Sequence, residues 1–391
     1  MRIALITVGE GAGDAAAPGL LAGRTLARHQ LDFALALGCQ KVVLFGHGAS
    51  AEAIALRHAA EAAGAQVQVV RGVRDLPAAV RGDDHLLVLA HGLLTDSPAA
   101  FEQLKKGDGV LVLPAEAGWS AGFERLDLAA AWGGAMVLPG RLAAGLDQLP
   151  EDAEPVAGLL RIARQGGVPE RPLPEAELAE GRWQIVRTAE SARAIEPAWL
   201  RRRLAAASPF RPTTWLAQWL VRRLAAPWVG SRRASAGLVA GAVLVLAAAV
   251  VAVWFGQAVL AFAALVPAAL AIEAGDALRL LGRSIFSAET KPSRLSLILH
   301  LMWDGALVTL GVLAIDGSRA HRLFAPLVMA GLLHLPPPPP ETGWRALAAD
   351  RGILAALLAL AAAFGLTEGG FMVLALALIA LRLAPNLGKR G

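Results

Sequence analysis

A charged stretch follows an apolar helix in the second half of the chain. It is AIEAGDALRLLGRS at residues 271–284, and it carries Glu273, Asp276, Arg279 and Arg283. Carboxylates move protons or bind metal ions, and arginines bind phosphate. Charges at the edge of a membrane are costly and usually have a reason. Three interpretations are open: an active site, the remnant of one, or a helix end that meets water.

A second pair of candidate residues follows in HLMWD. His300 and Asp304 are four residues apart, and residues at this spacing share one face of a helix. An imidazole and a carboxylate on one face can ligate a cation together. The pair therefore predicts a metal site on this helix.

Composition divides the chain into two parts near residue 235. Residues 1 to about 200 carry most of the acidic residues, whereas residues 235–385 are rich in Ala, Leu and Val. The net charge of +5 comes with basic pairs before the first long apolar run, which is typical of the cytoplasmic flank of a membrane span. The sequence lacks an aromatic-rich basic module, so no nucleic-acid partner is expected. The single Cys39 excludes an intrachain disulfide and a cysteine zinc site.

The first part alternates short apolar strands with Ala-rich helices. This alternation predicts an α/β doubly wound domain with a parallel sheet, and the N-terminus has no signal-peptide layout, so we expect the domain to be cytoplasmic. Ligands of such sheets bind beyond the carboxyl ends of the strands. TVGEGAG follows the first strand, and Gly9 and Gly11 in it can cradle phosphate through backbone N–H groups. A simple Gly-rich connection is the alternative.

This part resembles the nucleotidyltransferases that join a sugar- or inositol-phosphate to CTP. The resemblance lies in the Gly-rich loop 9–13, in LLAGRTLARHQLDFALALGCQKVVL at 20–44 and in LVLAHGLLTD at 87–96. It implies a loop that holds the triphosphate. Glu10 and Asp14 stand where the family has a basic residue, and His91 stands near the expected metal-binding Asp, so both changes weaken catalysis.

Two further residues are candidates for substrate binding in this domain. The resemblance suggests Asp96 as a late carboxylate and Arg24 as a phosphate ligand. The alternative is that Asp96 is the solvent-facing N-cap of the helix that begins at 97 and that Arg24 is a surface arginine.

The connection to the apolar half contains a linker and an amphipathic helix. Residues 166–207 are polar with little periodicity and are interpreted as a linker after a domain at 1–165. In 208–230, Trp215 and Trp219 share an apolar face while Arg222 and Arg223 point away. A Trp-rich face opposite basic residues is typical of a helix in the membrane interface. A buried helix of the soluble domain is the alternative.

The remaining residues, 235–385, predict an all-α domain of six transmembrane helices. A span needs about 20 apolar residues, and six apolar runs approach this length. The distribution of Lys and Arg places both termini in the cytoplasm of a multi-pass protein of the inner (cytoplasmic) membrane. The runs are 236–255, 257–274, 295–315, 320–335, 352–366 and 370–384.

Six spans after an interfacial helix resemble the CDP-alcohol phosphotransferases. Gly275 and Arg279 match the Gly and Arg of the family motif, and Asp304 matches one of its four metal-binding Asp positions. Ala271 and Ala274 replace two of the others. The resemblance implies Mg²⁺ or Mn²⁺ as cofactor, Arg279 on phosphate and Asp304 as the base.

The resemblances together imply a membrane transferase that moves a phosphoalcohol from a cytidine nucleotide to a lipid or polyol acceptor in phospholipid synthesis, and related domains are homodimers. The alternative is a catalytically inactive relative that binds nucleotide or lipid, or that scaffolds an active partner at the membrane. Missing carboxylates favour the alternative, whereas the retained Gly275, Arg279 and Asp304 favour the enzyme. A transporter would require ionisable residues in several spans, so it is disfavoured.

Overall fold

The computed structural model divides the chain into two compact units. The first contains Met1–Trp199 and Arg283–Ala288, and the second contains Leu200–Gly282 and Glu289–Gly391. The structure describes residues 1–9, 20–150, 153–204, 207–224, 232–286, 293–335, 346–347 and 350–383. Gly11, Glu10 and Asp14 of the predicted phosphate loop lie outside these residues.

The first unit contains short strands and helices in alternation. Its strands are β1 Arg2–Thr7, β2 Leu20–Leu21, β3 Arg24–Thr25, β4 Lys41–Phe45, β5 Gln66–Val70, β6 His85–Leu89, β7 Leu93–Thr95, β8 Gly109–Pro114, β9 Ala130–Pro139, β10 Glu170–Pro172 and β11 Trp183–Ile185. Its helices are α1 Leu26–Ala36, α2 Ala51–Ala62, α3 Leu76–Ala79, α4 Pro98–Lys105, α5 Ala115–Ser120, α6 Pro155–Gln165, α7 Ala176–Ala179 and α8, which spans Ala189–Arg203. A 3₁₀ segment covers Gly140–Gln148.

Seven of these strands form one sheet in the order β10-β8-β9-β6-β1-β4-β5. Parallel pairing joins β1 to β4 and β6, β4 to β5, and β8 to β10. Their Val, Leu and Ile side chains are buried, as expected for a sheet covered on both faces. The α/β prediction is therefore confirmed at the level of an α/β sheet domain.

The sheet is mixed, which corrects the prediction of a doubly wound parallel sheet. β9 runs antiparallel to both β6 and β8. Its sequence AAWGGAMVLP is rich in Ala and Gly, which are depleted in strands, so it carries no clear strand signal. Burial along nearly the whole strand stabilises it. Tertiary packing thus overrides local propensity.

The expected linker at 166–207 is also corrected, because the first unit extends to Trp199. β10 adds to the sheet, and β11 pairs with β7. The fully buried Trp183 anchors this region, since its indole Nε1 donates to the Gly133 carbonyl at 2.6 Å. Single buried tryptophans stabilise this segment. Because it has no periodic apolar pattern, its sequence gives no clear helix or strand signal.

One aromatic residue from far along the chain belongs to this unit. The Phe286 ring stacks on Phe101 with a centroid distance of 4.5 Å and meets Phe33 edge-on at 5.1 Å. Offset and edge-on aromatic contacts add stability beyond area burial. Phe286 therefore completes an aromatic cluster of the first unit.

The second unit is helical. Its helices are α9 Pro212–Leu224, α10 Arg232–Trp254, α11 Ala258–Leu281, α12 Arg294–Ala314, α13 Arg319–His334, α14 Arg351–Ala363 and α15, which spans Thr367–Leu383. Among the described residues, three helices are long and apolar enough to cross a membrane: Arg233–Trp254, Ala258–Leu281 and Arg294–Ala314. α13, α14 and α15 lie where three further spans were predicted, but they are shorter.

Large apolar side chains on these helices are exposed. Trp254, Phe255, Phe324 and Phe364 are each more than 70% exposed. An apolar exterior of this kind is unfavourable in water and suits contact with lipid. The exterior therefore agrees with a membrane location.

The helix α9 has the exposed Trp-rich face that the interfacial interpretation requires. Trp215 and Trp219 are each more than 40% exposed, whereas Ala217 and Val221 are buried. The Arg223 guanidinium lies 5.6 Å from the Trp219 ring centroid. Of the predicted range 208–230, residues 225–231 lie outside the described part.

Candidate functional site

A polar cluster centred on Asp276 joins α11 to α12. The Asp276 carboxylate accepts hydrogen bonds from Arg279 Nη2 at 2.6 Å and from Ser296 Oγ at 2.8 Å, and His300 Nε2 lies 3.2 Å away. Ser293 caps the amino end of α12 and so fixes the first turn, on which Ser296 lies. We call Asp276, Arg279, Ser296 and His300 the Asp276 cluster.

Gly275 makes room for the arginine of this cluster. A Cβ added at Gly275 would lie 3.3 Å from Arg279 Nη2 and 3.4 Å from Nη1. The guanidinium therefore packs directly over the glycine backbone, four residues earlier on the helix. The structure brings together the Gly275 and Arg279 that the sequence motif pairs.

Three nitrogen atoms of the cluster are buried without a hydrogen-bond partner among the described residues. They are Nε and Nη1 of Arg279 and Nδ1 of His300. A buried donor or acceptor without a partner costs about 1–3 kcal/mol, and more when the group is charged. Such groups are usually completed by water or a ligand. Among the described residues, the cluster therefore has hydrogen-bonding groups that are not satisfied.

A second polar cluster surrounds Asp304, and here the groups are matched. Arg351 Nε and Nη2 each donate to the Asp304 carboxylate at 3.0 Å, and His334 Nε2 lies 2.9 Å from Oδ2. Arg351 also lies 5.8 Å from the ring centroid of the buried Trp303. Asp304 is only 4% exposed. We call Asp304, His334 and Arg351 the Asp304 cluster.

His300 and Asp304 thus have different partners although they share helix α12. The His300 side chain contacts Asp276, whereas the Asp304 carboxylate contacts Arg351 and His334. In the described part of the chain, no group of three or more His, Cys, Asp or Glu residues could hold a metal ion. Their role as ligands of Mg²⁺ or Mn²⁺ stays a prediction.

A small cavity opens between α9, α11, α12 and α14. It has room for about one water-sized group, because the space open to the centre of such a group is about 10 Å³. The cavity therefore fits a single small polar group rather than a whole headgroup or a CDP-alcohol. The lining residues are Thr213, Thr214, Ala269, Ile272, Glu273, His300, Asp350 and Arg351.

Asp350 shapes one wall of this cavity. It caps α14 by accepting from the Ile353 N–H at 3.1 Å, and it also accepts from Thr213 Oγ1 at 2.5 Å and Thr213 N at 2.9 Å. A Cβ at Gly352 would clash with the Thr213 hydroxyl, so this glycine allows α9 and α14 to approach. Asp350 is therefore committed to structure.

In the first unit, the strand order reverses beside β1. β4 lies on one side of β1 and β6 on the other, so a crevice for ligands is expected at the carboxyl ends of β1 and β6. Gly9 follows β1, and His91 Nδ1 lies 3.4 Å from the Thr7 carbonyl oxygen. The Gly-rich loop and the turn after β6 thus begin at the place where such sheets bind ligands.

A buried glutamine from α1 positions the turn after β6. Gln30 Nε2 donates to the Ala90 carbonyl at 2.8 Å and to the Leu93 carbonyl at 3.0 Å. Gly92 has φ +72°, and a Cβ there would lie 2.4 Å from the Val186 carbonyl oxygen, so only glycine fits. The Gln30 hydrogen bonds and the requirement for glycine at position 92 therefore fix the conformation of the AHG turn at residues 90–92.

The other predicted substrate residues of this unit are buried. Arg24 Nη2 donates to Asp32 at 2.5 Å and the arginine side chain is 9% exposed, so it is not a surface arginine. Asp96 is also buried, and Ser97 rather than Asp96 caps α4.

Burial raises the pKa of the Cys39 thiol to about 12, which keeps it protonated and unreactive.

Sequence reasoning missed several residues of these sites. It named Asp276 only as one charge among several and gave it no role, yet the i,i+3 spacing of Asp276 to Arg279 was a usable signal. Arg351 and His334 lie 47 and 30 residues from Asp304, a separation at which no local pattern operates. Gln30 gave no signal, since an amide in a helix is ordinary.

No protein-family model matches the chain, and none of the curated proteins matches it significantly. The described residues form an N-terminal mixed α/β domain and a helical region with three helices that are long and apolar enough to cross a membrane, which indicates a membrane protein.

Proposed function

We propose that the protein binds the phosphate of a phosphoalcohol in its helical unit and does not transfer it, as expected for the inactive relative of the CDP-alcohol phosphotransferases. The observation that carries this proposal is the state of Arg279. Its guanidinium is held in place by Asp276 and Gly275, and Nε and Nη1 stay without a partner among the described residues. Arginine presents several donors in a fixed plane, an arrangement that suits phosphate.

The condition of Asp304 supports binding over transfer. A base or metal ligand needs accessible lone pairs, but Arg351 and His334 occupy three of the about four lone-pair sites of the Asp304 carboxylate, which is 4% exposed. Two-metal transfer also needs convergent ligands around ions about 3.5–4 Å apart. Asp276 and Asp304 have separate sets of partners, which disfavours such a centre.

The proposed ligand of the first unit is a cytidine nucleotide at the carboxyl ends of β1 and β6. The reversal of strand order beside β1 and the Gly92 turn support this position. The resemblance supplies the cytidine, and no contact to the base is assigned.

We also propose that α10 to α15 all cross the membrane, with both termini cytoplasmic. α13 and α14 have 16 and 13 residues, which is about 24 and 20 Å of helix against a hydrocarbon core of about 30 Å. Such short spans require local thinning of the bilayer. A reporter fused after residue 391 should be cytoplasmic and one inserted at Gly317 external; the same side for both would contradict six spans.

Binding by the purified full-length protein in detergent tests the central proposal. CDP-glycerol and glycerol 3-phosphate serve as probes in calorimetry. We expect Arg279→Gln to weaken both at least about tenfold, since this removes a charged contact of about 1.5–3 kcal/mol. The matched control Arg294→Gln removes an exposed arginine from the start of α12 and should leave both affinities unchanged. Equal affinities in Arg279→Gln and wild type would refute the proposal.

The transferase itself is the second candidate. The presence of Asp276 beside Arg279 favours it, because this carboxylate stands near the motif positions that have lost their Asp residues. Labelled CDP-alcohols, Mg²⁺ or Mn²⁺ and a membrane lipid extract provide the assay. A labelled lipid product that disappears in Asp304→Asn would replace the binding proposal by transfer.

A further inference from the structure

The cavity of the second unit presents mainly hydrogen-bond acceptors. The Thr214 hydroxyl donates to Glu273 Oε2 at 3.3 Å, and the Thr213 hydroxyl donates to Asp350. Each hydroxyl has only one proton, so both retain only lone pairs for a ligand. Glu273 adds carboxylate lone pairs beyond the one used by Thr214.

His300 adds Nδ1 to this wall, an atom that accepts a hydrogen bond when the imidazole is neutral. An ionised carboxylate accepts but does not donate, so His300 Nε2 must carry the proton that it shares with Asp276. In the neutral imidazole Nδ1 is then an acceptor. This Nδ1 atom is buried and has no partner among the described residues, although the residue lines the cavity. A ligand donor would satisfy it.

The charge of the cavity is complementary to a cation. Glu273 forms no direct salt bridge among the described residues, although the Arg211 charge attracts it electrostatically, whereas the positive charge of Arg351 is matched directly by Asp304. Asp350 is occupied by the Thr213 and Ile353 groups. One carboxylate is therefore left for a ligand.

We infer that this cavity binds a primary ammonium group, so that the bound phosphoalcohol is an amino-alcohol phosphate. A primary ammonium carries three donors and one positive charge, which match Glu273, His300 Nδ1 and the threonine hydroxyls. The described lining residues include no Phe, Tyr or Trp, and quaternary ammonium groups are typically held by cages of these residues. Asp276 links the two sites, because it contacts both Arg279 and the cavity residue His300. The inference rests on the proposed phosphate site at Arg279.

Calorimetry with three phosphates on the full-length protein in detergent tests this inference. The probes are phosphoethanolamine, phosphocholine and glycerol 3-phosphate. We expect phosphoethanolamine to bind at least about tenfold more tightly than the other two, a ratio that corresponds to ~1.4 kcal/mol. Glu273→Gln should abolish this preference while leaving glycerol 3-phosphate affinity unchanged. The matched control Glu368→Gln removes an exposed carboxylate of the same unit and should retain the preference.

The outcomes separate this inference from the proposed function. Equal affinities of the three phosphates, or a preference that survives Glu273→Gln, would overturn the ammonium site and leave the phosphate site standing. If no phosphate binds, the proposed function fails, and ethylammonium chloride alone then tests the cavity by a Glu273-dependent rise in Tm. A Glu273-dependent rise with Mg²⁺ but not with ethylammonium would assign the cavity to a metal ion instead.

A second variant guards against a folding defect in Glu273→Gln. Thr214→Val removes a hydroxyl acceptor of similar size without changing charge, and it should lower the preference for phosphoethanolamine about threefold, since neutral hydrogen bonds contribute about 0.5–1.5 kcal/mol. An unchanged preference in this variant would also count against the inference.

Discussion

The Asp276 and Asp304 clusters are built from the same residue types but differ in whether their hydrogen bonds are complete. Asp304 is 4% exposed and contacts the side chains of Arg351 and His334. Asp276 is 28% exposed, and its arginine keeps two donors without a partner among the described residues. Among the described residues, the hydrogen bonds of the Asp304 cluster are complete, whereas those of the Asp276 cluster are not.

This difference shows that a charge retained in a membrane helix has two distinct explanations. A charge in hydrocarbon is tolerated when a protein partner neutralises it, or when it faces a cavity and a ligand. Asp304, which the sequence motif marks as catalytic, fits the first explanation. Asp276 and Arg279 fit the second.

We expect the largest effect, a loss of stability, from removing the carboxylate of the Asp304 cluster. Asp304→Asn leaves the buried Arg351 charge without a carboxylate, and removing one partner of a buried pair typically costs about 3–5 kcal/mol. We expect a large loss of stability in thermal unfolding of the detergent-solubilised protein. Ligand binding at temperatures well below the transition should persist.

Two controls define this result. Asp304→Leu combined with Arg351→Met removes both charges and should recover most of the lost stability, because apolar replacement of a buried pair is often neutral or stabilising. Glu368→Gln breaks the exposed contact with His321 and should cost less than about 1 kcal/mol. A stable Asp304→Asn protein that fails to bind ligand would reverse the roles of the two clusters.

The cost of a buried polar group that loses its partner can also be tested in the first unit, with a neutral side chain. Gln30→Leu removes the side-chain donor of the buried Leu93 carbonyl and leaves the Ala90 carbonyl with only the Leu93 N–H, and a buried group without its partner costs about 1–3 kcal/mol. We expect a loss of about 2 kcal/mol, measured as faster amide hydrogen exchange in β6 and β7 of the full-length protein. Gln66→Leu, at an exposed glutamine of β5, is the control and should show no change. Unchanged exchange in Gln30→Leu would mean that the turn holds without its donor.

We expect a substitution beside the Asp276 cluster to change ligand affinity rather than stability. Gly275→Val places a branched side chain against the Arg279 guanidinium, which already lies 3.3 Å from the position of a Cβ. Displacing the guanidinium should weaken glycerol 3-phosphate binding about tenfold, or ~1.4 kcal/mol. Gly305→Val changes an exposed glycine with open space around it and should leave binding unchanged. Wild-type affinity in Gly275→Val would remove Arg279 from the phosphate site.

The sequence predicted features that depend on local pattern. Alternating strands and helices, the Trp-rich face of α9 and the proximity of Gly275 to Arg279 all follow from spacing along one element. The partners of Asp304 could not be predicted, because Arg351 and His334 come from other helices. β9 could not be predicted either, since its Ala- and Gly-rich residues form a strand only between two existing strands.

The smallest expected effect concerns an arginine–carboxylate pair of the first unit, which shows the same bidentate geometry as Arg351 with Asp304. Arg182 donates through Nε and Nη2 to Glu177 at 2.7 Å each, and these bonds hold the pKa of the Glu177 carboxyl below its ordinary value of about 4.3. Because the folded pKa is lowered, the stabilisation is present above the unfolded pKa and is lost as the pH falls through the folded one.

Arg182 is 25% exposed, so solvent screening limits the contribution of this pair to about 1 kcal/mol or less. We expect hydrogen exchange in β11 of the full-length protein to accelerate as the pH falls below about 4.3, after correction for the intrinsic exchange rate. In Glu177→Gln, this part of the acid response should vanish, because Gln does not titrate, and exchange at neutral pH should be slightly faster. Glu175→Gln, at an exposed neighbour, should keep the wild-type acid response. An acid response that survives in Glu177→Gln would show that another group controls it, and the pair with Arg182 would then be a geometric match without an energetic role.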